Sequence, residues 1–152
     1  MYQSSRILQH SPELDSSLVA LLEHTRNMFR AEWAQIILYP RKEGDEALRT
    51  ISRDDGETVA MQPVPDLEHD AIEQRVRKEL RRFLYIPLAT HRVFGTIRQA
   101  MVSPLRGESE LMGSIVIANR LTEATAFTSE DLKLLETLAN QSAIALENGQ
   151  LE

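Results

Sequence analysis

Cysteine is absent from this chain. That removes disulfides, thiolate metal sites, thiol nucleophiles and thioether-linked cofactors together, a covalently attached bilin included. Also absent are a glycine-rich phosphate loop, an HExxH pair and a nucleophile elbow, so no residue is assigned a catalytic role. The four histidines, at positions 10, 24, 69 and 91, do not pair with one another or with an acid at a metal-ligand spacing on one element, and no metal site is assigned. No apolar run approaches the roughly 20 residues of a membrane span, and the N-terminus MYQSSRILQHSPEL lacks the apolar block of a signal peptide. The chain is therefore expected in the cytoplasm. There is no excess of positive charge: the formal net charge is −6, which repels a nucleic-acid backbone and argues against direct DNA or RNA binding. No internal repeat or low-complexity segment is found.

What remains is ordinary for one globular domain: 152 residues, 42% hydrophobic and 26% charged. Residues 1–10 read as a polar lead-in, and 11–152 as a single domain. Ser11-Pro12-Glu13 is a helix start, with a capping hydroxyl, a proline that needs no donor, and an acid near the positive dipole end. Leucines 14, 18, 21 and 22 with Met28 and Phe29 carry that helix to about Arg30. AQIILYP reads as a strand, Arg41 to Glu46 as a turn with Gly44 left-handed, and Asp55-Gly56 as a hairpin closure. Residues 56–66, with Pro63 and Pro65, read as a loop. A second helix is expected from Asp66 or Glu68, with Ile72, Val76, Leu80 and Phe83 on one face. FLYIPLATH reads as extended, and two antiparallel strands follow, joined around Gly107-Glu108-Ser109. Thr128 and Asp131 form a capping box for a long last helix. This order argues for an α+β domain with helices packed on an antiparallel sheet.

The strand–turn–strand MVSPLRGESELMGSIVIAN and the final FTSEDLKLLETLANQSAIALENGQL resemble a GAF domain, the small-molecule-sensing module of signalling proteins, over about residues 14–152. The resemblance implies a central antiparallel sheet with the terminal helices on one face and a ligand pocket over the other. It also implies a small-molecule ligand, and an output enzyme of cyclic-dinucleotide metabolism (a diguanylate cyclase or phosphodiesterase) or a histidine kinase beyond Glu152. Cyclic-nucleotide-binding members carry Asn-Lys, a spacer, Phe, then Asp-Glu. The matching positions here are Asn119, Arg120, Phe127 and Asp131, with arginine for lysine and Leu132 for the glutamate. The physical sense of Arg120 with Asp131 is a clamp between a strand end and a helix start, and an arginine fork suits it. The cofactor is left unknown: cyclic nucleotide is one expectation, and haem on His69 or His91 is another, making a gas or redox sensor. A third is a ligand-free dimerisation and spacer module.

Two further constellations bear on function. In the last helix Leu132, Leu135, Ala139, Ser142 and Leu146 follow heptad spacing. They read as a homodimer seam on a helix about 37 Å long that continues into a linker, leaving Leu138, Ile144 and Ala145 for the sheet. In the second helix Arg75, Lys78 and Arg82 form a basic stripe that could hold a phosphate or carboxylate, against the plainer reading of a solvated face balanced by Glu73 and Arg77 at i, i+4. On the sheet, alternation puts Gln35, Ile37 and Tyr39 on the pocket face and Ala34, Ile36 and Leu38 in the core. On the later strand the pocket face is read as Gln99, Met101 and Ser103.

Overall fold

The computed structural model describes residues 12–87, 91–92, 96–121 and 126–149. The lead-in, Ser11 with its expected capping role, residues 88–90 of FLYIPLATH and the last three residues lie outside them. Helix α1 (Pro12–Phe29) buries Leu18, Leu22, Thr25, Arg26 and Phe29, the i, i+4, i+7 stripe of an amphipathic helix. It ends where Arg30 turns left-handed. Strands β1 (Ala31–Leu38), β2 (Ala47–Arg53) and β3 (Thr58–Val64) follow as a meander. Then come a 3-10 turn (Leu67–His69), α2 (Ala71–Glu79), β4 (Phe83–Tyr85), and two two-residue strands paired antiparallel, β5 (His91–Arg92) and β6 (Thr96–Ile97). Strands β7 (Ala100–Arg106) and β8 (Leu111–Arg120) and helix α3 (Ser129–Glu147) complete the order.

The main sheet runs β3-β2-β1-β8-β7-β4 with every pair antiparallel. Both faces of its centre are apolar. One carries Ala34, Ile36, Met101, Leu105, Ile115 and Ile117 against Leu18, Leu22, Leu135, Ala139 and Leu146 of α1 and α3. The other carries Trp33, Ala100, Val102, Val116 and Ala118 against Ile72 and Val76 of α2. The terminal helices α1 and α3 thus share one face, as the resemblance implies, and α2 covers the other. At Gly113 the close approach of β1 demands glycine, because a Cβ there would collide with the Ile37 carbonyl.

Several local expectations are corrected. The proline-bearing stretch 58–64 is a strand, tolerated because β3 is an edge. Its register shifts opposite Thr50, and Met61, at φ +50°, turns into the core with its amide on Thr50 Oγ1. Helix α2 starts at Ala71, capped by Asp70, whose carboxylate accepts from the Ile72 and Glu73 amides. It closes at left-handed Leu80, so Leu80 points to solvent, and Phe83 belongs to β4 rather than to a helix face.

The heptad seam is also corrected. Leu135, Ala139 and Leu146 are fully buried in the domain's own core, with Ala143 rather than Ser142 completing the stripe. Leu132 is half-buried at its margin. Ile144, expected on the sheet, is 38% exposed, and Leu134 is 44% exposed. Helix α3 closes at Glu147, with Asn148 as cap and Gly149 at φ +68°, a left-handed position that breaks helical continuity.

Candidate functional site

The α2-facing side of the sheet concentrates the unusual chemistry. Alternation along β1 puts Trp33, Gln35, Ile37 and Tyr39 on this face. Ser114 of β8 stands beside Ile37 in register. Glu73 comes down onto them from α2. Position 73 falls between Ile72 and Val76 on the buried arc of the helix, so its side chain points inward and is wholly shielded from solvent. Its Oε1 accepts two hydrogen bonds of 2.7 Å, from the Tyr39 hydroxyl and the Ser114 hydroxyl. Its Oε2 is buried and has no protein partner. Burial pushes the Glu73 carboxyl up to about 7, against the pull of the Tyr39 and Ser114 donors. Burial, and then the negative charge of Glu73, push the Tyr39 phenol far up, so it stays a donor. Arg49 of β2, opposite Ile37 in register, is depressed by burial but held up by Asp70 and Glu73.

Nothing in the sequence reading singled out Glu73 beyond a surface pair with Arg77. In the structure Arg77 lies over the Tyr39 ring at 5.6 Å and meets Glu73 only through its backbone carbonyl, at 3.5 Å. The available signal was positional: an acid one residue after a buried isoleucine and three before a buried valine lies on the inner face of the helix.

Of the expected ligand residues, Ile37 and Tyr39 stand on this face, with Ile37 fully buried. Met101 does not: it packs in the α1/α3 core, and Ser103, of the same parity, is buried with its hydroxyl on the Pro104 carbonyl. The faces of β7 are the reverse of the expectation, the one-residue inversion to which a period-two pattern is prone. Gln99 lies before β7 and is recruited elsewhere. Arg75 and Arg82 line an open groove of about 380 Å³ with Glu79, Arg81, Phe83 and Leu132. Both are already engaged. Arg75 pairs with Glu79 at 3.0 Å and stacks 4.0 Å over Phe83, while Arg82 pairs with Glu136 of α3 at 2.6 Å.

The motif at the end of β8 forms a bracket. Arg120 Nη1 donates to Asp131 Oδ2 at 2.8 Å, and its guanidinium sits 5.6 Å from the Phe127 ring. Burial opposes ionisation of Asp131, but the Thr128 amide and Arg120 outweigh it and hold the carboxyl below its usual range. Asp131 also closes the capping box with Thr128. Asn119, left-handed at φ +63° as asparagine tolerates, accepts from the Arg98 and Gln99 amides and donates to Glu32. The Gln99 side chain accepts from the Phe127 amide at 2.9 Å. These residues tie β1, β7, β8 and α3 together on the helix side, away from Glu73.

Among the described residues no cluster of His, Asp and Glu could hold a metal ion. His69 is exposed on its 3-10 turn, and the His91 side chain lies outside the described residues. No described helix is long and apolar enough to cross a membrane.

The fold is of the class in which one antiparallel sheet is covered by helices on both faces. The GAF domain family model matches residues 13–148, and the chain belongs to that family. No curated protein sequence matches it. Among solved structures it is similar to the GAF-B domain of DevS from Mycobacterium smegmatis (TM-score 0.63, 16% identity, 88% of this chain and 93% of that one). It is also similar to the GAF domain of a two-component sensor histidine kinase from Bacillus halodurans (0.64, 12%, 93% and 98%). A third is the GAF domain of PixJ from Thermosynechococcus elongatus in its blue-light-absorbing form (0.58, 13%, 97% and 90%). At these identities the likeness is one of fold.

Proposed function

We propose that this GAF domain is a non-catalytic regulatory sensor of the cytoplasm. It binds a small molecule on the α2 side of the sheet and passes its state through α3 to an attached output domain. The observation that carries this reading is the Glu73 cluster. A carboxyl group kept in an apolar interior with one oxygen unpartnered costs stability, and such a cost is characteristic of binding sites. The named relatives support the general role: a sensor histidine kinase and a PixJ domain known by its absorption. A thioether-held chromophore is excluded for this chain by its lack of cysteine.

Coupling has a concrete route. Ser114 bonds Glu73 on one face of β8, while its neighbour Ile115 packs under the terminal helices on the other. Around the sheet edge, Arg82 reaches from the end of α2 to Glu136 on α3. A ligand that prefers one position of α2 therefore biases α3, and the bias equals its difference in affinity between the two states. Homodimerisation belongs to the same proposal. It would use the outward stripe of α3 with Leu134 and Ile144, since the inward stripe is occupied.

The test is a thermal-shift screen with cyclic nucleotides, flavin and haem, followed through the fluorescence of the single tryptophan, Trp33. A compound that raises Tm and changes Trp33 emission supports the sensor. If every compound leaves both unchanged, the ligand-free spacer is the better account.

A further inference from the structure

Three buried polar atoms on the α2-facing side lack a protein partner: Trp33 Nε1, Gln35 Oε1 and Glu73 Oε2. Trp33 and Gln35 are 1% and 3% exposed and Glu73 is 0% exposed. Buried polar groups are almost always hydrogen-bonded, and each exception calls for an account. Three on one face are not scattered packing errors. Trp33 and Gln35 are alternate residues of β1, roughly 7 Å apart along the strand. Glu73 lies over the next position, Ile37, through its bond to Ser114. The row therefore runs along one strand beneath one helix.

Its chemistry is lopsided. Of the three atoms, Gln35 Oε1 and Glu73 Oε2 are acceptors and Trp33 Nε1 is a donor. The Tyr39 and Ser114 hydroxyls both donate to Oε1 of Glu73, which fixes the carboxyl plane and leaves Oε2 facing away from them. Arg49 on the neighbouring strand attracts Glu73, yet burial still dominates, so the acid's charge is not fully compensated within the protein.

We infer that this row recognises a small planar nitrogenous ligand with paired N–H donors, an amidine or amino-heterocycle edge, held by Glu73 Oε2 and Gln35 Oε1 with the Trp33 indole N–H as counter-donor. This rests on the sensor reading and sharpens it. An acceptor-only ligand could pair with Trp33 Nε1 but would leave the Gln35 oxygen and the ionised Glu73 carboxylate unpaired, and an anionic one would also be repelled by that carboxylate.

The full chain would be titrated with benzamidine and 2-aminopyridine, and with benzoate, which has the shape of benzamidine but only acceptors. Trp33 emission and Tm are the readouts. The two donor probes are expected to saturate and shift both, and benzoate to shift neither. Glu73→Gln, which keeps the shape, should weaken the donor probes by about tenfold or more, the loss expected for a charged hydrogen bond. If that variant does not fold by circular dichroism, Gln35→Leu decides, and an unchanged affinity overturns the inference. Benzoate binding as well as benzamidine, or full affinity in Glu73→Gln, overturns the donor-edge inference while leaving a small-molecule site on this face. If the three probes and a cellular metabolite extract all leave Trp33 and Tm unmoved, the sensor reading falls with it.

Discussion

Burial disfavours the Glu73 carboxylate more strongly than the Tyr39 and Ser114 hydroxyls favour it, so its folded-state value rises from the ordinary 4.5 to about 7. Between those two pH values the folded chain binds more protons than the unfolded one. Stability from this group is therefore complete below about pH 4.5 and is lost as pH rises through 7, a swing on the order of 3 kcal/mol. Urea denaturation of wild type and Glu73→Gln across pH 4.5–8 should show that swing as a changing difference between the two proteins. A constant difference would mean that Glu73 ionises normally. At Arg120 the expectation is smaller. The Arg120–Asp131 pair is only about three-quarters shielded, with side-chain exposures of 24% and 23%, so Arg120→Ala should cost about 1 kcal/mol at neutral pH. That loss should shrink in acid as Asp131, whose value is depressed, takes up its proton; denaturation midpoints at pH 7 and pH 3 check it. The Arg120–Asp131 contact was legible in the sequence because motif spacing encodes it. Glu73 was legible only in its place on the inner arc beside Ile72 and Val76; its partners were not, because an acid on a helix is ordinarily solvated and only the packing of α2 over the sheet brings it to Tyr39 and Ser114.

Helix α3 shows how far element-level patterns reach. Its start was legible, since Thr128 and Asp131 form the capping box that their spacing implies. Its inner stripe was legible too, as Leu135, Ala139 and Leu146, but not what the stripe packs against. Heptad and α-helical periods drift apart by only about 20° per seven residues, so within a helix this short a dimer seam and a core-facing stripe look alike. The structure separates them at one position, burying Ala143 where the heptad names Ser142. The far end of α3 is tied as well: the Glu147 carboxylate accepts from the Glu108 amide and from the Ser109 amide and hydroxyl in the β7–β8 turn. With Arg120–Asp131 at its start and Glu147 at its end, α3 is fastened at both ends to one hairpin, so in the proposed sensor α3 and β7–β8 would move as one unit. Strand pairing at its centre depends on Gly113. Gly113→Ala should lower stability by on the order of 3 kcal/mol, measured by thermal or urea unfolding, because the added methyl meets the β1 backbone and not a movable side chain. The β3 strand was missed for a different reason: Pro63 forbids a central strand, and nothing local shows that this one is an edge.

At the scale of the molecule, the sheet separates two chemically different sides. The α2 side holds the polar row and the acid, and the α1/α3 side holds the apolar core and the Asn119–Arg120–Phe127–Asp131 bracket. The layered α+β architecture was legible from element order and resemblance, because alternating helices and strands leave few ways to cover both faces of a sheet. Which face of β7 looked where was not, since a single-residue shift exchanges them. The two sides share β8, whose alternate residues face each of them, and are bridged by Arg82–Glu136 at the edge; in the proposed sensor these are the routes of coupling.

Hydrogen exchange along α3, compared with and without a compound that stabilises the domain through the Trp33 side, tests this coupling most directly. The coupling predicts altered protection within α3, centred near Glu136, and a reduced response in Arg82→Ala. Saturated binding on the α2 side with α3 protection unchanged from the free protein would contradict it.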